Sequence, residues 1–211
     1  KLITKCYMVN VDKIALVTGA ASGIGWATAC LLHDEGIHVI ICDNYKDNLD
    51  SANAKICKEN YQNMSSFYAD VSLEADVVHL FNHIKKTFGR LDYLINNAGI
   101  GVFPSLGEID LDHLQSIFGT NVFGLTLLTQ EFLPYFKKQK KGNIINIAST
   151  AALKGFARGT VYAASKFAVR GLTQCWQAEL RKENIRVMLV NPSEVPTAFN
   201  QSDRMERPCL L

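Results

Sequence analysis

The sequence predicts an α/β fold in which a doubly wound parallel sheet forms a single domain over residues 1–211. Two observations lead to this prediction. Short apolar runs rich in β-branched residues alternate with longer segments of helical pattern, as in consecutive strand–helix–strand units. The predicted strands are apolar nearly throughout, as expected for strands that helices cover on both faces. No internal repeat or linker divides the chain, so one domain is expected.

Six predicted strands and five predicted helices alternate in chain order. The strands are 13–19, 38–43, 65–71, 91–99, 142–149 and 185–192. The helices are 23–35, 45–59, 74–88, 111–137 and 160–182. Ligands of such sheets bind beyond the carboxyl ends of the strands, so functional residues are expected in the loops that follow them.

Composition limits the class of function. The 211 residues are 48% hydrophobic and 20% charged, with a formal net charge of +2, which predicts neither a nucleic-acid partner nor a membrane partner. The six cysteines form no C-x-x-C pair, so reduced thiols in a cytoplasmic protein are expected. Residues 1–7 precede Met8, which has the context of a natural start, and are interpreted as an extension.

Polar or small residues stand at the carboxyl end of every predicted strand or directly after it. They are TGAASGIG (18–25), Asp43, Asp70 with Val71, NNAG (96–99), Ser149 and NPSEVPT (191–197). Each is separately consistent with a turn or a helix cap. Their coincidence at all six strand ends indicates a ligand site along one edge of the sheet.

The loops after the first two strands predict a dinucleotide. Gly19, Gly23 and Gly25 let the backbone approach a pyrophosphate at the N-terminus of a helix, although their G-x-x-x-G-x-G spacing is weakly specific alone. Asp43 can accept hydrogen bonds from ribose hydroxyls and would repel a 2′-phosphate. The expected cofactor is therefore NAD, with NADP as the alternative. A cap on the following helix is the structural alternative for Asp43.

TVYAASK (160–166) places Tyr162 and Lys166 one helical turn apart on the same face. By itself the pair is equally consistent with an ordinary helix surface. A phenol titrates near pH 10, so its use as a base near neutrality needs about 4 kcal/mol. An ammonium about 4 Å away supplies about 4 kcal/mol at an effective dielectric of about 20. Lys166 is therefore expected to lower the pKa of Tyr162, and Ser149 to hold the substrate oxygen.

Together, TGAASGIG, NNAG, Ser149 and YAASK resemble the short-chain dehydrogenase/reductase family in its compact, Rossmann-like, single-domain subtype. The resemblance runs from about Lys13 to Thr197. It implies that Tyr162 is the catalytic acid/base and that Ser149 orients the carbonyl. It also implies that Lys166 lowers the Tyr162 pKa and bonds the nicotinamide ribose, and that Asn121 holds a water in a proton relay. The cofactor contacts it implies are Gly19, Ser22, Gly23, Ile24, Gly25, Asp43, Asp70, Val71, Asn97, Ala98, Gly99, Tyr162, Lys166, Val195 and Thr197.

The sequence departs from the family pattern in two places. Ser193 follows Pro192 where the family usually has glycine. The family also continues through a substrate-covering helix pair and a seventh strand, whereas this chain ends at Leu211. Residues 198–211 are therefore interpreted as a shortened C-terminal segment that lacks the final strand.

These features predict an oxidoreductase that moves hydride between NAD(H) and a small-molecule alcohol or carbonyl substrate. Residues 149–172 and NPSEVPT resemble the 3-oxoacyl-[acyl-carrier-protein] reductase branch, so an NADPH-dependent 3-oxoacyl reductase is one alternative. A dinucleotide-binding module without catalysis is another. The family often pairs subunits through the helices that begin here near Leu111 and Thr160, which implies a homo-oligomer. His79 and His83 have zinc-ligand spacing but no evident third ligand, so no metal is expected.

Overall fold

A six-stranded parallel sheet forms the centre of the computed structural model, which describes residues 13–197 and 199. Its strands are β1 (Ile14–Thr18), β2 (His38–Asp43), β3 (Met64–Tyr68), β4 (Tyr93–Asn96), β5 (Gly142–Ile147) and β6 (Ile185–Val190). They lie in the order β3-β2-β1-β4-β5-β6, and every neighbouring pair is parallel. The predicted fold class is confirmed. The proposed extension 1–7, and all of 198–211 except Phe199, lie outside the described residues.

Helices cover both faces of the sheet. They are α1 (Gly23–Asp34), α2 (Lys46–Glu59), α3 (Glu74–Thr87), α4 (Leu111–Phe118), α5 (Leu125–Gln139) and α6 (Thr160–Leu180). Successive residues of a strand point to opposite faces of the sheet. Leu16 packs on one face, in a core with Leu80 from α3 and Phe132 from α5. Val17 packs in the opposite core with Leu49 from α2. Within residues 13–197, no helix is long and apolar enough to cross a bilayer.

The helix predicted over 111–137 is interrupted. Between α4 and α5 the chain makes a π-helical turn, Gly119–Gly124, which contains Asn121. Such turns shift one residue out of the regular helical pattern and are frequent at functional sites. Apolar residues occur on both sides of this turn, so hydrophobic periodicity does not reveal it.

The order in which successive strands are added reverses between β1 and β4, where a crevice opens at the strand ends. Thr18, the last residue of β1, fixes the loop that follows β4. Its Oγ1 accepts hydrogen bonds from the backbone N–H groups of Asn97 at 3.1 Å and Ala98 at 3.0 Å. The Asn97 side chain donates in return to the Thr18 carbonyl at 2.8 Å. These bonds hold the two edges of the crevice in fixed register.

Candidate active site

A cavity of about 2030 Å³ lies along the carboxyl ends of the strands. All but three of the predicted site residues line it, and the exceptions are Gly25, Asp70 and Asn121. Those in its wall are Gly19, Ser22, Gly23, Ile24, Asp43, Val71, Asn97, Ala98, Gly99, Ser149, Tyr162, Lys166, Val195 and Thr197. The strand-end rule therefore located the cavity correctly.

Gly25 supports the glycine turn from behind the cavity wall. A Cβ placed at Gly25 would lie 2.6 Å from Asn97 Nδ2 and 2.8 Å from Ala20 Cα. Because the backbone at Ala20 cannot yield easily, only glycine lets α1 begin so close to the end of β1. The Asn97 amide also donates to the Gly19 carbonyl at 2.9 Å, which fixes the turn. The N-terminus of α1 is thereby held at the cavity, and the residues present fit a dinucleotide pyrophosphate.

Asp43 joins the glycine turn to the start of α2. Its Oδ2 accepts from the backbone N–H of Ala21 at 3.1 Å, and its Oδ1 accepts from that of Tyr45 at 3.0 Å. Tyr45, rather than Asp43, is the N-cap residue of α2. Because a carboxylate has about four acceptor positions, two backbone bonds leave capacity for ribose hydroxyls. Asp43 lines the cavity together with Asn44 and Asn48.

Asp70 is not among the residues that line the cavity, whereas Val71 is. Its Oδ1 accepts from Ser72 N at 2.9 Å and from Ser72 Oγ at 2.6 Å. Its Oδ2 accepts from Asn44 Nδ2 at 2.8 Å. Burial raises the pKa of Asp70, but these hydrogen bonds outweigh it and the net pKa is lowered. Asp70 thus holds the wall residue Asn44 in place, while Val71 is in the wall itself.

Ser149, Tyr162 and Lys166 meet at the other end of the cavity. Tyr162 and Lys166 come from the first two turns of α6, and both are buried. The Ser149 side chain forms a hydrogen bond with Tyr162 and also accepts from Ala151 N at 3.1 Å. Lys166 Nζ lies 5.7 Å from the centre of the Tyr162 ring and donates to the Ile147 carbonyl at 3.2 Å. The structure therefore assembles a phenol, a hydroxyl and an amine around one point.

Burial controls the pKa values of this pair. It raises the pKa of Tyr162 more strongly than the Ser149 hydrogen bond lowers it. It lowers the pKa of Lys166 to about 8. The expected lowering of the Tyr162 pKa by Lys166 is therefore not found in the chain by itself. The expectation assumed a Lys166 ammonium about 4 Å from the phenol at an effective dielectric of about 20. Desolvation, which it did not include, penalises the ionised forms of both side chains.

Asn121 is fixed by hydrogen bonds to two segments. Its Oδ1 accepts from Ile100 N at 2.9 Å, and its Nδ2 donates to the Ile100 carbonyl at 3.0 Å. The same Nδ2 donates to Ser165 Oγ at 3.0 Å, and Ser165 donates to the Tyr162 carbonyl at 2.7 Å. Ser165 thus connects the π-helical turn to α6 between its Tyr and its Lys. Sequence reasoning missed Ser165, although its place directly before Lys166 was a usable signal.

Aromatic side chains surround Tyr162, and sequence reasoning missed them as well. The Phe103 ring lies edge-on to Tyr162, with centroids 5.4 Å apart. Phe199 lies 5.9 Å from Tyr162, and Phe156 lies 6.0 Å from Phe103. All three phenylalanines line the cavity. Their loops contain no recognised motif, so no pattern in the sequence indicated this position.

The loop after β6 completes the wall. Pro192, Ser193, Val195 and Thr197 all line the cavity, so the unusual serine lies within the site. The Pro192 carbonyl accepts from Thr150 N at 2.9 Å, which ties this loop to the one that carries Ser149. The two predicted zinc-spacing histidines lie elsewhere: His79 and His83 pack on Phe67, with ring centroids 5.2 and 4.8 Å away.

Comparison with known proteins decides the family. Residues 13–208 match the sequence profile of the family described as short chain dehydrogenase. This chain belongs to the short-chain dehydrogenase family. The predicted resemblance is confirmed, and with it the prediction that the chain is an oxidoreductase. A relative from Staphylococcus aureus, named as an uncharacterised oxidoreductase, is 36% identical over 200 residues, which cover 93% of this chain and 85% of the relative.

Solved structures of the family agree with this assignment. A 3-ketoacyl-(acyl-carrier-protein) reductase from Brucella melitensis, complexed with NADH, superposes with a TM-score of 0.81 at 33% identity. The match covers 86% of this chain and 75% of that one. A protein named ElxO, with NADP bound, has a TM-score of 0.81 at 32% identity, over 86% of this chain and 73% of that one. Similar structures therefore include complexes with either cofactor.

Proposed function

We propose that this short-chain dehydrogenase interconverts a small-molecule alcohol and its carbonyl compound with NAD(H), using Tyr162 as the acid/base. The observation that carries the proposal is the single cavity, which has the glycine turn and Asp43 at one end and Ser149, Tyr162 and Lys166 at the other. When bound, the nicotinamide cofactor supplies the hydride donor or acceptor. The assembled catalytic residues do not favour a dinucleotide-binding module without catalysis.

In this proposal the protein's own residues orient the substrate oxygen and move its proton. Ser149, which hydrogen-bonds Tyr162, holds the oxygen beside the phenol. Tyr162 donates its proton to that oxygen in reduction and takes it back in oxidation. A phenol ordinarily titrates near pH 10. Burial raises the pKa of Tyr162 from that value and so favours the protonated form, which acts as the acid. Lys166, with a pKa of about 8, can return a proton to Tyr162, and Asn121 forms part of that path.

Charge in the cavity supports NAD over NADP. Near the glycine turn, the wall of the cavity carries the carboxylate of Asp43. Among the described lining residues, the cations are Lys154, Arg158 and Lys166, which follow β5 or lie in α6. A 2′-phosphate beside Asp43 would therefore meet a carboxylate without a compensating cation from the described wall. The proposed cofactor contacts are the predicted residues that line this end, with Gly25 and Asp70 supporting them from behind.

A 3-oxoacyl reductase that uses NADPH remains the second candidate. Two observations favour it: the 33% identity to the 3-ketoacyl-(acyl-carrier-protein) reductase and the existence of a similar structure with NADP bound. Cofactor preference separates it from the main proposal, because Asp43 should weaken NADPH binding.

The testing experiment titrates the full chain with NADH and with NADPH and follows nicotinamide fluorescence. NADH should bind at least about tenfold more tightly, and Asp43→Asn should remove most of that difference. Asp50→Asn, an exposed carboxylate on α2 outside the cavity wall, is the matched control and should leave the ratio unchanged. A preference for NADPH would contradict the role of Asp43 and favour the 3-oxoacyl alternative. Binding of neither cofactor would contradict the dinucleotide site itself.

We also propose that residues 1–211 act as one domain in a cytoplasmic homo-oligomer. Apolar side chains are exposed on α4, the π-helical turn and α6, namely Leu114, Phe123 and Phe167. A second copy of the chain would cover such a surface. Cys57 and Cys175 are exposed free thiols, which suit a reducing compartment. Light scattering during gel filtration tests the assembly, and Phe123→Glu should yield monomers if this face is the interface.

A further inference from the structure

We propose that the substrate of this site carries a planar apolar group, an aryl or similar ring, next to its reacting carbon. This inference rests on the proposed function, because it concerns the end of the cavity where Tyr162 acts. It names the class of substrate: ring-bearing ketones and the corresponding secondary alcohols, in preference to small polar carbonyls and polyols.

The first observation is the aromatic wall, defined as Phe103, Phe156 and Phe199. Phe103 and Phe199 lie 5.4 and 5.9 Å from the Tyr162 ring. Phe156 remains 50% exposed and Phe199 remains 45% exposed, although both line a cavity. Large apolar side chains left open beside a reacting group indicate a surface that a ligand covers. Aromatic faces and edges stack well against another ring.

The second observation is that Phe156 is held in position by its own loop. A Cβ placed at Gly159 would lie 2.6 to 2.7 Å from three atoms of the Phe156 ring. The ring therefore packs directly on the Gly159 backbone, where any side chain would displace it. Gly159 precedes α6, the helix that carries Tyr162, so the ring position is linked to that of the phenol.

The third observation is that Arg158 joins the two loops of the aromatic wall. Its φ of 64° is in the left-handed region, which non-glycine residues rarely adopt. In that conformation its Nε donates to the Phe103 carbonyl at 2.9 Å. The loop carrying Phe156 is thereby fixed to the loop carrying Phe103. Backbone strain of this kind persists where the surrounding structure requires it, often at ligand sites.

The chemistry of this wall selects against polar substrates. The hydroxyl groups of a polyol need hydrogen-bond partners when they leave water, and phenylalanine rings provide none. Charge gives no comparable selection, because the cavity carries both signs. Its cationic residues outside the cofactor end are Lys154, Arg158 and Lys166, and its anionic residue there is Glu194. An apolar ring attached to the carbonyl therefore fits this end best.

Reduction adds a hydride to the carbonyl carbon of the ring-bearing ketone and a proton to its oxygen, which gives the secondary alcohol. NADH is oxidised to NAD⁺ in the same step, and Tyr162 supplies the proton.

The test compares acetophenone with acetone as substrates of the full chain at saturating NADH. Acetophenone should show a kcat/KM at least about 30-fold higher, the effect of burying a phenyl ring. Phe156→Ala should lower that ratio about tenfold, mainly through the KM of acetophenone. Leu31→Ala is the control, because Leu31 is an exposed apolar residue of α1 outside the cavity wall, and it should leave the ratio unchanged.

A binding measurement separates this inference from catalysis. Saturation-transfer NMR should show magnetisation passing from the protein to the ring protons of acetophenone. Phe156→Ala should weaken this signal, and Leu31→Ala should not. Equal kcat/KM values for the two ketones would overturn the inference and leave the proposed function standing. A 3-oxoacyl substrate and a polyol are assayed in the same way as the two ketones. If NADH binds but none of the four compounds is turned over, the proposed function is overturned and the inference with it.

Discussion

The two ends of the cavity are built in different ways. The cofactor end is built around a glycine turn, the N-terminus of a helix and the Asn97 hydrogen bonds that hold them. At the substrate end, the wall consists of side chains from distant segments, including Phe103, Phe156 and Tyr162. Phosphate recognition needs mainly free N–H groups, so a short motif encodes it. An apolar wall needs packing between loops that only the complete fold brings together.

Tyr162→Phe is the strongest test of this difference. It should remove catalysis at the substrate end and leave NADH binding at the cofactor end unchanged. Without the phenolic proton, kcat should fall by about 10³-fold, within the usual range for a lost acid/base. The Kd for NADH should stay within about twofold of wild type. Stopped-flow fluorescence and steady-state assays measure both. Tyr135→Phe on α5 is the control, and unchanged turnover in Tyr162→Phe would rule out the mechanism.

Lys166 provides the next largest effect, in the pH dependence of stability. Its pKa is about 8 in the folded chain against an ordinary value of 10.5. Between these values the unfolded chain binds a proton that the folded chain does not, so wild-type stability should rise with pH across the window. Lys166→Met has no titrating group at this position and therefore lacks this pH-dependent contribution to stability. The difference in unfolding free energy between the two proteins should therefore change by about 3 kcal/mol from pH 8 to pH 10.5.

Urea denaturation of both proteins at several pH values measures that difference. Other titrating groups are common to the two proteins and cancel. A difference that stays constant with pH would show that Lys166 keeps an ordinary pKa in the folded state.

The cofactor end is tested by a pair of glycine substitutions. Gly25→Ala should weaken NADH binding about tenfold or more, because the new methyl group displaces the turn at Ala20. Gly171→Ala places the same methyl group in open space on α6, where it should stabilise the helix by up to about 1 kcal/mol. Fluorescence titration and thermal unfolding distinguish them. If Gly25→Ala and Gly171→Ala bind NADH equally well, the close packing at Gly25 does not contribute to cofactor binding.

Ser165→Ala should have the smallest effect, because it removes one hydrogen bond from Asn121. A fall in kcat of about tenfold is expected, with the Kd for NADH unchanged. The pH profile of kcat should also shift, since Ser165 connects Asn121 to the helix that carries Tyr162 and Lys166. Ser116→Ala, on exposed α4, is the control. A loss of thermal stability without any change in the pH profile would leave Ser165 with a structural role alone.

Much of the fold followed from sequence because strand ends and apolar periodicity are local properties. The strand-end rule indicated Asp43, Ser149 and the glycine turn, all of which line one cavity in the structure. It did not indicate that the Asp70 side chain would bond Ser72 and Asn44. The rule gives the position of a backbone segment and not the direction of each side chain.

Other features depended on tertiary packing that the sequence does not display. The π-helical turn at Gly119–Gly124 has no hydrophobic signature. The left-handed conformation of Arg158 and the contact of Phe156 with Gly159 exist only once the two loops meet. The burial that raises the pKa of Tyr162 in the chain by itself was not foreseen, because spacing alone does not give the burial of a side chain.

The central claim is that hydride passes between a cofactor at one end of the cavity and a carbonyl substrate at the other. Transfer of deuterium from the cofactor to the substrate tests it most directly. The full chain is given NADH deuterated at both C4 positions, together with acetophenone or acetone, and the alcohol product is analysed by mass spectrometry. The account predicts one deuterium on the carbinol carbon of each product, formed far more slowly by Tyr162→Phe. An unlabelled alcohol, or bound NADH that yields no alcohol from either ketone, would contradict it.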